Sequence, residues 1–78
     1  MISKDSNLDE ITESGSYIVQ ADHPLFKTGC TLMIFKYERY IQQIVFSIAG
    51  NYVQYRFKGY SGDWYNWMRA TLSPVVYP

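Results

Sequence analysis

Asn51-Tyr52-Val53-Gln54-Tyr55-Arg56-Phe57-Lys58 alternates without a slip. Val53, Tyr55 and Phe57 fall on one side, and Tyr52, Gln54, Arg56 and Lys58 on the other. This period of two marks a β-strand, whose successive side chains point to opposite faces. Gly50-Asn51 ahead of it reads as a tight hairpin turn, so Tyr40 to Ile48 is the partner strand. There Ile41 and Val45 share one side and Ile44, Phe46 and Ile48 the other; alternation puts Gln43 with the first set and Gln42 with the second, an assignment that a bulge would reverse. Glu38-Arg39 is a two-residue break, and Cys30 to Tyr37 is a further strand, apolar enough to be covered on both faces. Asp22 to Gly29, with His23-Pro24, is a loop. Ser16 to Ala21 is the first strand, with Tyr17 and Val19 opposed to Ile18 and Gln20. Beyond Lys58, Gly59 to Asp63 is a turn and Trp64 to Leu72 a last short strand. On such a strand Trp64 and Trp67, three apart, face opposite sides. Residues 7–14 suit one helical turn, with Asn7 as N-cap, Asp9 and Glu10 in the first turn and Gly15 as its stop.

The fold class expected is therefore mainly β: a small antiparallel meander of about five strands with one N-terminal helical turn. Residues 1–7 read as a leader or linker, 8–72 as the β domain and 73–78 as a C-terminal tail. The expected core is Ile11, Tyr17, Val19, Leu32, Ile34, Ile44, Phe46, Val53, Tyr55, Phe57 and Trp67. A chain of 78 residues is one domain, and one so small buries only roughly 60% of its unfolded surface. Cys30 is the sole cysteine and His23 the sole histidine. An intrachain disulfide and a Cys/His zinc cluster are thereby excluded. Aromatic packing and oligomerisation remain as sources of stability.

Composition narrows the function classes. Net charge is zero, and 47% of residues are hydrophobic against 18% charged, which rules out a disordered chain. The charges are unevenly spread. Lys4 stands against Asp5, Asp9, Glu10, Glu13 and Asp22 in the first part. Lys27, Lys36, Arg39, Arg56, Lys58 and Arg69 outnumber Glu38 and Asp63 in the rest. This mild basicity is well short of a nucleic-acid binder's, and no Gly-rich phosphate loop or RNA-binding strand signature is present. No apolar run reaches the ~20 residues of a membrane span, and Met1 to Asp5 has no signal-peptide character. His23 has no nucleophile at a recognisable spacing, Cys30 opens an apolar strand, and a small meander offers little cleft for paired carboxylates. The expectation is a protein that is not an enzyme and uses no cofactor or metal.

Leu8-Asp9-Glu10-Ile11-Thr12-Glu13-Ser14-Gly15-Ser16-Tyr17, then Tyr40-Ile41-Gln42-Gln43-Ile44, then Gly62-x-Trp64-x-x-Trp67 followed by Arg69, occur in that order. Together they resemble the opening, the central glutamine-bearing strand and the closing strand of the knob domain of phage tail fibres and R-type pyocin fibres. The resemblance covers about Leu8 to Leu72. It implies a β-rich, homotrimeric module of a virion tail fibre, made in the host cytoplasm without a signal peptide. It also implies recognition of a host cell-surface polysaccharide, with no nucleic acid and no membrane insertion.

The residues suggest where such a ligand would sit. Arg56 and Lys58 offer a bidentate fork and a point charge for carboxylate or phosphate. Tyr52 and Gln54 share their side of the strand. Trp64 or Tyr65 is the candidate aromatic platform for a sugar's C–H face. The expected ligand-binding set is thus Tyr52, Gln54, Arg56, Lys58, Trp64 and Tyr65. The same side also reads as an ordinary solvated sheet face, or as an intersubunit face pairing with Asp9, Glu10 and Glu13. A structural trimerisation or folding cap without receptor binding is the alternative function.

Overall fold

The computed structural model describes residues 2–26, 29–47 and 51–75. They form one antiparallel sheet in the order β1-β2-β3-β4-β5. The strands are β1 (Gly15–Val19), β2 (Cys30–Tyr37), β3 (Tyr40–Ser47), β4 (Tyr52–Lys58) and β5 (Met68–Thr71). The expected mainly β meander is the architecture found. The helical turn is a 3₁₀ turn, Leu8–Glu10, capped by Asn7, whose side chain accepts from the Asp9 N–H at 3.0 Å. It ends at Ile11, before the expected Gly15 stop.

Two boundaries differ from expectation by more than one residue. β1 ends at Val19 rather than Ala21, because Gln20 and His23 begin a turn. β5 begins at Met68 rather than Trp64, because residues 65–67 leave the ladder after a single bridge between Lys58 and Trp64. Residues 2–7 are also more than a leader. Ile2 pairs in parallel with Val19 at the β1 edge and is buried. The face expected for Ile48 and the turn at Gly50 lie outside the described residues.

Pairing register divides the side chains into two faces. On the inner face the rows run Tyr17–Leu32–Val45–Gln54–Arg69 and Ile34–Gln43–Arg56. On the outer face they run Ser16–Met33–Ile44–Tyr55–Met68, Ile18–Thr31–Phe46–Val53–Ala70 and Phe35–Gln42–Phe57. Among the described residues, only the inner face is covered. Val19, Cys30, Leu32 and Val45 are fully buried there beneath Ile2, Leu8 and Phe26, with Ile11, Tyr17, Trp64 and Trp67 packed at the margin.

This corrects five of the eleven residues of the expected core. Ile11, Tyr17, Val19, Leu32, Ile34 and Trp67 belong to it or pack against it. Ile44, Phe46, Val53, Tyr55 and Phe57 stand on the opposite face, where Phe46 and Tyr55 are 42% and 40% exposed. The cause is register: once β3 turns Gln43 and Val45 inward, every residue of β4 is assigned a side.

Two turns shape the end of the sheet that carries residues 38–39 and 59–63. Gly59 leaves room for the Tyr65 ring, which a Cβ there would meet at 3.1 Å. Glu38 holds φ at +55° in the two-residue β2–β3 connection, a conformation costly for a side chain with a Cβ and natural for glycine. Glu38→Gly is therefore expected to stabilise the fold by about 0.5–1 kcal/mol. An upward shift of the urea midpoint at unchanged slope checks this.

Candidate functional site

The residues expected to face a ligand are occupied within the chain. Arg56 is 8% exposed. Its Nε donates to Gln43 Oε1 at 2.8 Å, and its Nη2 pairs with Asp9 Oδ1 at 2.7 Å. Its guanidinium carbon lies 3.9 Å from the centre of the Trp64 ring and 4.8 Å from that of Trp67. A planar, weakly hydrated cation suits such stacking on indole faces. Both tryptophans thus serve one arginine, which corrects the expectation that they face opposite sides. Residues 65–67 are not a strand, so period two does not separate them.

Gln43 is fully buried and fully engaged. Its Nε2 donates to the carbonyls of Leu8 at 2.7 Å and Ile11 at 2.9 Å, while its Oε1 accepts from Arg56. It therefore fastens the N-terminal segment to the middle of the sheet and satisfies carbonyls at the end of the 3₁₀ turn. Gln54, also buried, accepts from Arg69 Nε at 2.6 Å, and the Arg69 guanidinium lies 3.9 Å over the Tyr52 ring. The Tyr52 hydroxyl donates to the Phe26 carbonyl at 3.4 Å and lies 3.8 Å from Cys30 Sγ.

Tyr52, Gln54 and Arg56 are thus interior residues, and the reading of them as a receptor surface is corrected. Lys58 is half-buried, with Nζ 5.7 Å from the Trp64 ring centre, and Trp64 is half-buried beside Arg56. Of the expected set, Tyr65 alone is exposed, and it stacks on Phe57 at 4.3 Å on the outer face. The acidic segment does meet the basic strands, but within one chain. Asp9 takes Arg56, and Glu13 takes Lys36 at 3.3 Å in an exposed pair of small energetic weight.

The remaining candidates are also packed. His23 is buried, accepts at Nδ1 from the Leu25 N–H, and stacks on Phe26. Among the described residues, no group of three His, Cys, Asp or Glu side chains is placed to hold a metal ion. No helix there is long and apolar enough to cross a membrane.

The described surface has no pocket, but one end of the sheet gathers exposed aromatic rings. Alternate turns of a meander lie at the same end, so 38–39 and 59–63 are neighbours. There Tyr40 and Tyr60 sit with ring centres 6.1 Å apart, and the Arg39 guanidinium lies 4.6 Å over Tyr60. Tyr37, 73% exposed, stands opposite Tyr40 across the hairpin. The signal was present in Tyr37-Glu38-Arg39-Tyr40 and Gly59-Tyr60, aromatic residues flanking turns that the meander brings together. Exposed rings beside a guanidinium can stack on an apolar face while the cation holds an anionic group.

The Arg56 cluster is structural. Arg56→Lys, which cannot reproduce the planar stack and its separate bonds, is expected to cost about 1–3 kcal/mol. Gln43→Leu, which strands the Ile11 carbonyl and Arg56 Nε and removes one of the two donors to the Leu8 carbonyl, is expected to cost about 2–4 kcal/mol. Urea denaturation of both variants checks this, and losses within experimental error would refute the assignment. No family model, curated protein or solved structure matches the chain.

Proposed function

We propose that the chain is a non-catalytic, host-attachment module of a phage or prophage tail fibre that binds a surface glycan. The observation that carries the reading is the exposed cluster of Tyr37, Tyr40, Tyr60 and Arg39 at one end of the sheet. Support also comes from the resemblance to the tail-fibre knob family. Leu8, Asp9, Gln43, Trp64 and Trp67, on which that resemblance rests, all belong to the packing around Arg56 and Gln43. Such motifs then mark a scaffold, and specificity falls to the exposed turns it carries.

In this mechanism a tyrosine ring lies against the C–H face of a sugar and Arg39 meets a carboxylate or phosphate of the polymer. Each contact is weak. Presentation on a homotrimeric fibre multiplies it, since linked sites exceed a single site's affinity by ~10²–10⁴ where geometry allows. The second reading, a structural cap that trimerises a fibre without binding a receptor, is favoured by the bare apolar outer face of the sheet.

Tyr60→Ala combined with Arg39→Ala is expected to weaken binding to immobilised lipopolysaccharide or teichoic acid at least tenfold while circular dichroism is unchanged. Undiminished binding by the folded double variant would reject this site. No binding by the unaltered chain to any polymer, together with loss of fibre assembly on its deletion, would favour the structural cap.

A further inference from the structure

We infer that the outer face of the sheet is an interface between copies of this chain. Ile18, Met33, Ile44, Phe46, Tyr55 and Met68 lie together on it through the cross-strand pairs Met33–Ile44, Ile44–Tyr55 and Tyr55–Met68, with Ile18–Thr31–Phe46 alongside. Ile18 is 52% and Met68 61% exposed. Nothing in the described chain packs over this face except Tyr65 at Phe57.

Its charge content favours a second copy of the same face. Every charged residue in the strands, namely Lys36, Arg56, Lys58 and Arg69, stands on the inner side by register. The outer rows contain no charged side chain, and their polar groups are short hydroxyls, Gln42 and tyrosine. A charged polymer finds no complementary charge here. Another copy of the same face meets no like charge, and no ion is desolvated when the two close.

Size agrees with this. Five strands ~4.8 Å apart, of four to eight residues at ~3.3 Å each, give a plan area of roughly 400–500 Å². Side-chain relief enlarges that towards the ~600 Å² per partner of the smallest standard interfaces. It already matches the largest apolar patch of a typical monomer, ~300–600 Å². Two copies closing face to face bury it in a sandwich with sheets ~10 Å apart. Three around a threefold axis bury it as well, since sheets about 20 Å wide then lie ~6 Å from the axis, near half that spacing.

The inference rests on the packing of the sheet and is independent of glycan binding. Sedimentation equilibrium of the full chain, from micromolar to millimolar concentration, tests it. The expected result is a dimer or trimer of the 9.1 kDa chain, with association weakened at least about 100-fold by Ile44→Lys and by Met68→Lys, each placing a charge in the contact. Circular dichroism reports whether each variant folds. Should Ile44→Lys unfold the chain, Met68→Lys at the already exposed β5 position decides. A chain that stays monomeric throughout overturns the inference, as does an oligomer indifferent to Met68→Lys. A monomer that cosediments with phosphatidylcholine vesicles also overturns it and assigns the face to lipid.

Discussion

An arginine carries five N–H donors and a charge it does not lose, so an interior Arg56 has to be surrounded by acceptors and polarisable surfaces. In this chain they come from three distant stretches. Asp9 arrives from the N-terminal turn, Gln43 from the central strand, and Trp64 and Trp67 from the segment after β4. Gln43 adds a second fastening by holding the Leu8 and Ile11 carbonyls. The covering layer of the sheet is therefore attached by polar contacts as much as by the burial of Ile2, Leu8 and Phe26. Buried polar groups of this kind cost stability when half satisfied and specify a single arrangement when fully engaged.

One consequence is an exchange of roles between the faces. Val19, Leu32, Ile34, Ile41 and Val45 of β1 to β3 and the polar residues of β4 lie together on the covered side. Val53, Tyr55 and Phe57 of β4 are left with Met33, Phe35, Ile44 and Phe46 of β2 and β3 on the open side. The chain's uneven charge distribution follows from the same arrangement, because its acidic beginning is folded onto its basic strands. What remains for a partner is an uncharged apolar sheet and, at its end, a group of exposed tyrosines beside Arg39. The two surfaces differ in chemistry. Apolar area without charge suits association with like surfaces, whereas rings beside a cation suit a polar polymer with anionic groups.

Much of the fold was legible in residues alone. The unbroken alternation over Asn51 to Lys58, the two-residue break at Glu38-Arg39 and the N-cap at Asn7 are local signals, and local backbone preferences answer to them. The strand-four site was not legible. Tyr52, Gln54, Arg56 and Lys58 look like a solvent-facing set because polar residues on a strand usually are. Their partners lie 13 residues away at Gln43 for Arg56 and 15 away at Arg69 for Gln54. No periodicity reports such long-range matching.

The sequence by itself determined the strands, their alternation, their meander order and the absence of an intrachain disulfide, since these depend on neighbours along the chain and on residue counts. It also determined which residues travel together on each side of a strand. Only the tertiary structure decided which side became the interior. Both sides of β3 and β4 hold apolar and polar groups, so composition left the two choices close. The choice was made by the segments that return over the sheet, and by the long-range bonds of Gln43 and Arg56 that hold them on one side and leave the other bare.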